Sequence, residues 1–265
     1  MIDMEYSLIF GASGGIGKEF SKALAKRGEN LVISGRYENK LELLKSELLE
    51  LNPTLSIIVL PLDLSSHEER IIAYDKLKSL SVKVKGLYYV SGIDTRKAFT
   101  KYDQDKLTYQ ARVNFEGALS TTEFALKNRA ESLDILVVSS ACGFTPMPYF
   151  SEYSATKSAL IYFYKGLKRE LKGQKVKISL LCPSSVPTRV DIVEDIKSQG
   201  LQGKLAQKPP KYIVEKGLKA LSKNKTICVP GFYNKVVTFI SKITPNFIKL
   251  QIIAKKFKDK EKDAF

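Results

Sequence analysis

The sequence predicts a doubly wound α/β fold, a parallel sheet covered on both faces by helices. Three observations carry that prediction. Short β-branched runs alternate with longer amphipathic stretches from residue 7 to about residue 230, the pattern of strands joined by helical crossovers. The strand-like runs are continuously apolar, as strands buried on both faces require. The first of them feeds directly into a glycine-rich turn that opens a helix.

Strands are expected at residues 7–10, 31–34, 57–60, 86–90, 135–139 and 176–181, with a shorter one at 226–229. Helices are expected at 15–27, 40–51, 67–80, 105–127, 154–171 and 213–222. In the second of these, Leu41, Leu44, Leu48 and Leu51 recur at helical spacing and form the stripe that packs on a sheet. Tyr162 and Tyr164 are read as packing residues on the helix that follows Tyr153. No repeat, low-complexity tract or linker interrupts residues 1–231, which are read as one domain.

From residue 232 to 265 the character changes. Phe232, Val236, Phe239, Ile240 and Ile243 form one apolar stripe, and Phe247, Leu250, Ile253, Ala254 and Phe257 form another after Pro245. Both stripes describe amphipathic helices. They either pack on the domain or a second subunit, or lie on a membrane through residues 232–258, where an apolar face flanked by lysines favours binding. The closing residues are read as a frayed end.

The net charge of +15 raises the question of nucleic acid. Only 8 of the 43 basic residues are Arg, the better reader of phosphates and bases, and the lysines are spread along the chain. No nucleic-acid partner is expected. Cys142, Cys182 and Cys228 are an odd number at long spacings, which suggests neither a disulfide framework nor a metal site. The single histidine, His67, stands at a helix start and excludes His-based hydrolase or metal chemistry. The first ten residues lack the build of a secretion signal, no apolar run reaches a membrane span, and a cytoplasmic, reducing compartment is expected, with peripheral membrane contact as the open alternative.

Two constellations carry chemistry. Gly11-Ala12-Ser13-Gly14-Gly15-Ile16-Gly17 sits between a strand and a helix. Free amides and the helix dipole there face a phosphate, while the glycines let backbone approach closely. About twenty residues on, the second strand ends at Ser34-Gly35-Arg36. A basic residue at this point accommodates the 2′-phosphate of NADP, where NAD sites place an acid. Tyr153 and Lys157 lie at i and i+4, on one helix face. A cation beside a phenol stabilises phenolate, so Lys157 is expected to lower the Tyr153 pKa and make it a general acid/base. Ser140, closing the fifth strand, is placed to polarise the same oxygen.

In these residues the chain resembles the short-chain dehydrogenase/reductase family, in its compact subgroup, over roughly residues 7–231. The glycine pattern Gly11-x3-Gly15-x-Gly17 carries the resemblance together with Asn114 in Val113-Asn114-Phe115, Ser140 and Tyr153 thirteen residues beyond it, and Pro183-x2-Val186-x-Thr188. The resemblance implies a Rossmann-like fold and an NADP(H)-dependent carbonyl reductase with Asn114, Ser140, Tyr153 and Lys157 as catalytic residues. It implies a cofactor site built from Gly11, Ser13, Gly15, Ile16, Gly17, Arg36, Asp63, Leu64, Ser91, Gly92, Tyr153, Lys157, Pro183, Val186 and Thr188, of which Asp63 and Leu64 would contact adenine and Pro183 to Thr188 the nicotinamide. It also implies a homodimer or homotetramer. The expected substrate is a small-molecule carbonyl or alcohol; the C-terminal amphipathic helices motivate an apolar ketone, such as a long-chain acyl, retinoid or steroid-like compound, and the covering segment 189–210 offers Ile192, Val193, Ile196, Leu201 and Leu205 without a fixed charge pattern. The competing reading is a sensor or scaffold that binds NADP(H) without turnover. Phe10 where the family has threonine, Tyr89-Val90-Ser91-Gly92 where Asn-Asn-Ala-Gly is common, and Ser184 in place of glycine are departures that touch turn geometry and nicotinamide placement.

Overall fold

The computed structural model describes residues 4–258, 260 and 261. The reading of the extreme C-terminus as frayed therefore falls largely on residues outside those described, as does part of the leader reading. Strands β1 (Glu5–Phe10), β2 (Asn30–Gly35), β3 (Ile57–Pro61), β4 (Lys83–Tyr89), β5 (Arg129–Val138), β6 (Val176–Leu181) and β7 (Ile227–Cys228) form one sheet. Its order is β3-β2-β1-β4-β5-β6-β7, and every pairing is parallel. The expected fold class is therefore observed.

Side-chain alternation divides each strand between two cores. Leu8 and Phe10 of β1 join Leu87 and Tyr89 of β4 and Ile135 and Val137 of β5 on one face. That face is covered by α3 (His67–Ser79), α5 (Gly117–Lys127) and α6 (Ser151–Glu170). Ile9, Tyr88, Leu136 and Val138 point the other way, towards α1 (Gly15–Ala25), α2 (Glu38–Leu51) and α9 (Pro210–Ser222). Leu41, Leu44 and Leu48 of the α2 stripe are buried. Leu51, expected with them, is 44% exposed, because the helix has run past the sheet by its last residue. Tyr164 is buried and hydrogen-bonded to Thr122 at 2.6 Å, whereas Tyr162, two residues away on the opposite helix face, is exposed rather than packed. The departure at Phe10 is accommodated in the core, where its ring lies 6.2 Å from that of Tyr89.

The expected helix over residues 105–127 is interrupted. It consists of α4 (Gln104–Ala111), a π-helical turn (Arg112–Glu116) and α5. The wider turn leaves the Val113 carbonyl to accept a hydrogen bond from the Tyr89 hydroxyl at 2.5 Å. Such insertions re-aim side chains at functional sites, and here the re-aimed residue is Asn114.

Beyond β6, the covering segment holds α7 (Val190–Ser198) and α8 (Gly200–Ala206), and α10 (Phe232–Ile243) and α11 (Asn246–Phe257) close the described chain. Of the α11 stripe, Leu250, Ile253, Ala254 and Phe257 are half-buried and pack on the protein, while Phe247 is 67% exposed. The α10 stripe does not. Phe232, Val236, Phe239, Ile240 and Ile243 are all exposed.

Candidate active site

Strand order reverses between β1 and β4, and a crevice opens at the carboxyl ends of a parallel sheet where that happens. The glycine loop follows β1 on one side of this point, and Ser91-Gly92 follows β4 on the other. The loop is shaped so that backbone is its surface. Gly11 has φ +86°, and a Cβ there would meet the Ser91 amide nitrogen at 2.8 Å. A Cβ on Gly17 would lie 2.0 Å from the Gly11 carbonyl oxygen, and one on Gly15 would lie 2.6 Å from Thr188 Cγ2. Helix α1 starts at Gly15 with no side-chain cap, which leaves the first-turn amides, Ile16 among them, to face a ligand. Ser13 is half-buried, with its Oγ 3.1 Å from where a Gly35 Cβ would be.

Arg36, Asp63 and Leu64 lie at the ends of β2 and β3. Arg36 is exposed and donates to the Tyr109 hydroxyl at 2.7 Å, which in turn donates to Asp63 Oδ2 at 3.4 Å. The Arg36 guanidinium also sits 5.4 Å from the Tyr37 ring centroid, with Lys40 on the same ring. Leu64 is buried, and its carbonyl receives Arg70, a buried guanidinium that also pairs with Glu116 of the π turn. Neither Tyr109 nor Arg70 was legible as a site residue, since both act across elements remote in sequence. On the other flank, the Pro183 carbonyl accepts from the Ala141 amide at 2.9 Å, Val186 is buried, and Thr188 closes on the glycine loop at Gly15. The residues present fit a dinucleotide: a backbone cradle a Cβ would fill, an uncapped helix start, and a basic residue at the end of β2.

The four expected catalytic side chains come from three elements. Asn114 is fully buried, and its amide exchanges hydrogen bonds with the Ile93 main chain, accepting from N at 2.7 Å and donating to O at 2.9 Å. It also donates to Thr156 Oγ1 at 3.2 Å, which ties the π turn to α6. Lys157 donates to the Val138 carbonyl at 3.1 Å and closes on Gly92, where a Cβ would lie 2.8 Å from Nζ. Ser140 follows β5 in extended backbone and caps the short turn Ala141–Phe144, its Oγ accepting from the Cys142 amide at 3.1 Å. Tyr153 stands in the first turn of α6, stacked on Phe150 at 4.5 Å between centroids, with Ser140 near enough to pull its phenol pKa downward.

Electrostatics here correct one expectation. Burial, with Cys142 and Asp94 nearby, pushes the Tyr153 phenol above its ordinary value of 10, against smaller downward pulls from Ser140 and Arg189. Lys157 is not among the largest influences on it. Its Nζ is 5.7 Å from the Tyr153 ring centroid and engaged with Val138, and burial brings the amine itself down from 10.5 to about 8. The two groups share a helix face, but each is governed first by desolvation.

The covering segment is latched over this crevice. Arg189 Nη2 pairs with Asp94 Oδ1 at 3.0 Å, and Arg96, itself buried, pairs with Asp195 of α7 at 2.9 Å. Ile196 of the covering segment is buried, while Leu201 and Leu205 are exposed.

Comparison with known proteins agrees with this geometry. The short chain dehydrogenase family profile matches residues 5–198. The chain belongs to that family of oxidoreductases. It is 32% identical over 193 residues to a Very-long-chain 3-oxoacyl-CoA reductase of Neurospora crassa, covering 69% of this chain and 56% of the relative. It is 32% identical over 199 residues to a Hydroxysteroid 11-beta-dehydrogenase 1-like protein of Xenopus tropicalis, covering 72% of this chain and 68% of that protein. The chain thus spans little more than half the length of the Neurospora relative. Among solved structures, one from a study of 7beta-hydroxysteroid dehydrogenase stereoselectivity superposes with a TM-score of 0.82 at 22% identity, covering 94% of this chain and 96% of the other. A short-chain dehydrogenase from Sphingobium yanoikuyae in complex with NADPH superposes at 0.75 and 18% identity, covering 98% and 99%.

Proposed function

We propose that the protein reduces the carbonyl group of an apolar substrate to an alcohol with NADPH. The observation that carries this reading is the convergence of Ser140, Tyr153, Lys157 and Asn114, from β5, α6 and the π turn, on the crevice flanked by Gly11–Gly17 and Gly92. NADPH, when bound, supplies a hydride to the carbonyl carbon. The C=O bonding pair then moves to oxygen, and Tyr153 Oη supplies the proton that completes the hydroxyl. A phenol that burial keeps protonated is the form this direction needs. Ser140 holds the oxygen, and Lys157, beside Gly92, orients the ribose. Asn114 supports a water-linked proton path that restores the phenol. Arg36 takes the 2′-phosphate, with Tyr109 holding the guanidinium in place until it does.

The names of the relatives, with long-chain acyl and steroid chemistry between them, support an apolar ketone as substrate class. The protein works as a homodimer or homotetramer, as members of this family commonly do. Residues 1–231 are assigned to the catalytic unit and 232–265 to an appended segment, helical at Phe232–Ile243 and Asn246–Phe257. The test is titration with NADPH and NADH followed by absorbance assays on a panel of apolar ketones. NADPH binding with its consumption supports the reading. Binding without consumption across the panel supports a nucleotide sensor instead, and binding of neither nucleotide overturns the assignment of the glycine loop.

A further inference from the structure

An ordinary surface helix turns its apolar side inward. Helix α10 does the reverse. Its buried residues are polar, Asn234 and Thr238, and its inward face continues to Ser241, which hydrogen-bonds Thr145. Asn234 donates to the carbonyls of Ala206 and Pro230, each at 2.9 Å. These bonds hold the helix in its roll, so the apolar stripe cannot turn inward without breaking them. Outward stand Phe232 (83% exposed), Phe239 (64%) and Ile243 (67%), and α11 adds Phe247 (67%) and Ile252 (62%). Large apolar side chains exposed together on two consecutive helices mark an interaction surface.

We propose that this face of α10 and α11 docks on an anionic lipid bilayer. Charge selects the occupant. Between residues 232 and 258 there is no Asp or Glu, and there are six lysines, on a chain of net charge +15. A second copy meeting this face would bring lysines against lysines with no counter-charge, whereas an anionic leaflet supplies one. The helices lie on the membrane and do not cross it. Each has 12 residues, about 18 Å of helix against a hydrocarbon core of roughly 30 Å, and no described helix is long and apolar enough to span.

The docked surface adjoins the rim of the crevice. Lys242 lies over the Phe144 ring at 4.8 Å, in the short turn that follows Ser140. Asn234 binds the end of α8, and Lys256 binds Gln199 at 3.2 Å between α7 and α8. The helices that carry the apolar face therefore also brace the segments on either side of the crevice. The docking itself does not depend on the reaction assigned above.

The experiment is cosedimentation of the full chain with vesicles of phosphatidylcholine alone, and with roughly 30% phosphatidylserine, at low and high salt. Binding to the anionic vesicles that falls with salt is expected. Phe239→Glu with Ile243→Glu should abolish it while NADPH binding and Tm stay unchanged. Lys235→Gln with Lys255→Gln should weaken it by about 25-fold, at about fivefold per lysine, and serves as the test if the glutamate variant fails to fold. Equal binding to neutral and anionic vesicles, wild-type binding in the folded glutamate variant, or no vesicle binding at all would overturn the proposal. So would a concentration-dependent dimer that the glutamate pair dissociates in a protein that ignores vesicles, which would assign the face to a second copy.

Discussion

Replacing Lys157 by Met should stabilise the nucleotide-free protein while removing its activity. Lys157 is 3% exposed, and its amine has been brought from 10.5 to about 8 by burial. At about 1.4 kcal/mol per pH unit, holding that amine charged at pH 7 costs about 3 kcal/mol. Methionine keeps the length of the side chain without the charge. The bond to the Val138 carbonyl is lost with it, which, for a charged donor, offsets about 2 kcal/mol. The net gain of about 1 kcal/mol corresponds to a rise in Tm of about 2–4 °C for a chain of this size. The pH dependence identifies the cause. Between about pH 8 and 10.5 the unfolded chain binds more protons at this site than the native one, so wild-type stability rises with pH. The variant lacks this titration, and the difference between the two proteins should close as pH approaches 10.5. Thermal and urea unfolding of both proteins from pH 6.5 to 10, without nucleotide, measures this. A variant less stable than wild type at pH 7, by an amount that does not change with pH, would refute the reasoning and make Lys157 a structural hydrogen-bonding residue.

Glu152 should show the opposite dependence: burial raises its carboxyl to about 7, and one oxygen has no partner, so the native state binds the extra proton between 4.5 and 7 and stability falls as pH rises through that window. Glu152→Gln should therefore raise Tm at pH 8 and leave it unchanged below pH 4.5. Tyr153→Phe should lower turnover by roughly 10²–10⁴-fold with NADPH affinity retained, read by single-turnover absorbance beside a binding titration; near wild-type turnover would remove Tyr153 from the mechanism. Arg36→Ala should weaken NADPH by about 10–100-fold, the loss of a charge-assisted contact, and leave NADH nearly unchanged in parallel fluorescence titrations. Gly15→Ala places a Cβ 2.6 Å from Thr188 Cγ2, and should weaken both nucleotides together; selective loss of one of them would contradict the steric account.

What was legible in the sequence was local. Continuous apolar runs announce strands buried on both faces, because the two cores take alternate residues, as Leu8, Ile9 and Phe10 of β1 and Ile135 to Val138 of β5 do. The glycines of the loop announce themselves because at Gly11, Gly15 and Gly17 a side chain would collide with Ser91, Thr188 and the loop's own carbonyl. Tyr153 and Lys157 share a helix face by spacing alone. The tertiary structure decided what depends on distant partners. It broke the helix at Arg112–Glu116 so that Asn114 meets Ile93 and Tyr89 meets Val113. It set Tyr153 and Lys157 where desolvation is the first influence on each. It joined Arg36 to Tyr109 across 73 residues. Periodicity reveals that α10 has an apolar side but not which way that side points, because a helix rolls to satisfy the hydrogen bonds its neighbours offer. Here Ala206 and Pro230 hold Asn234 inward and leave the phenylalanines outside.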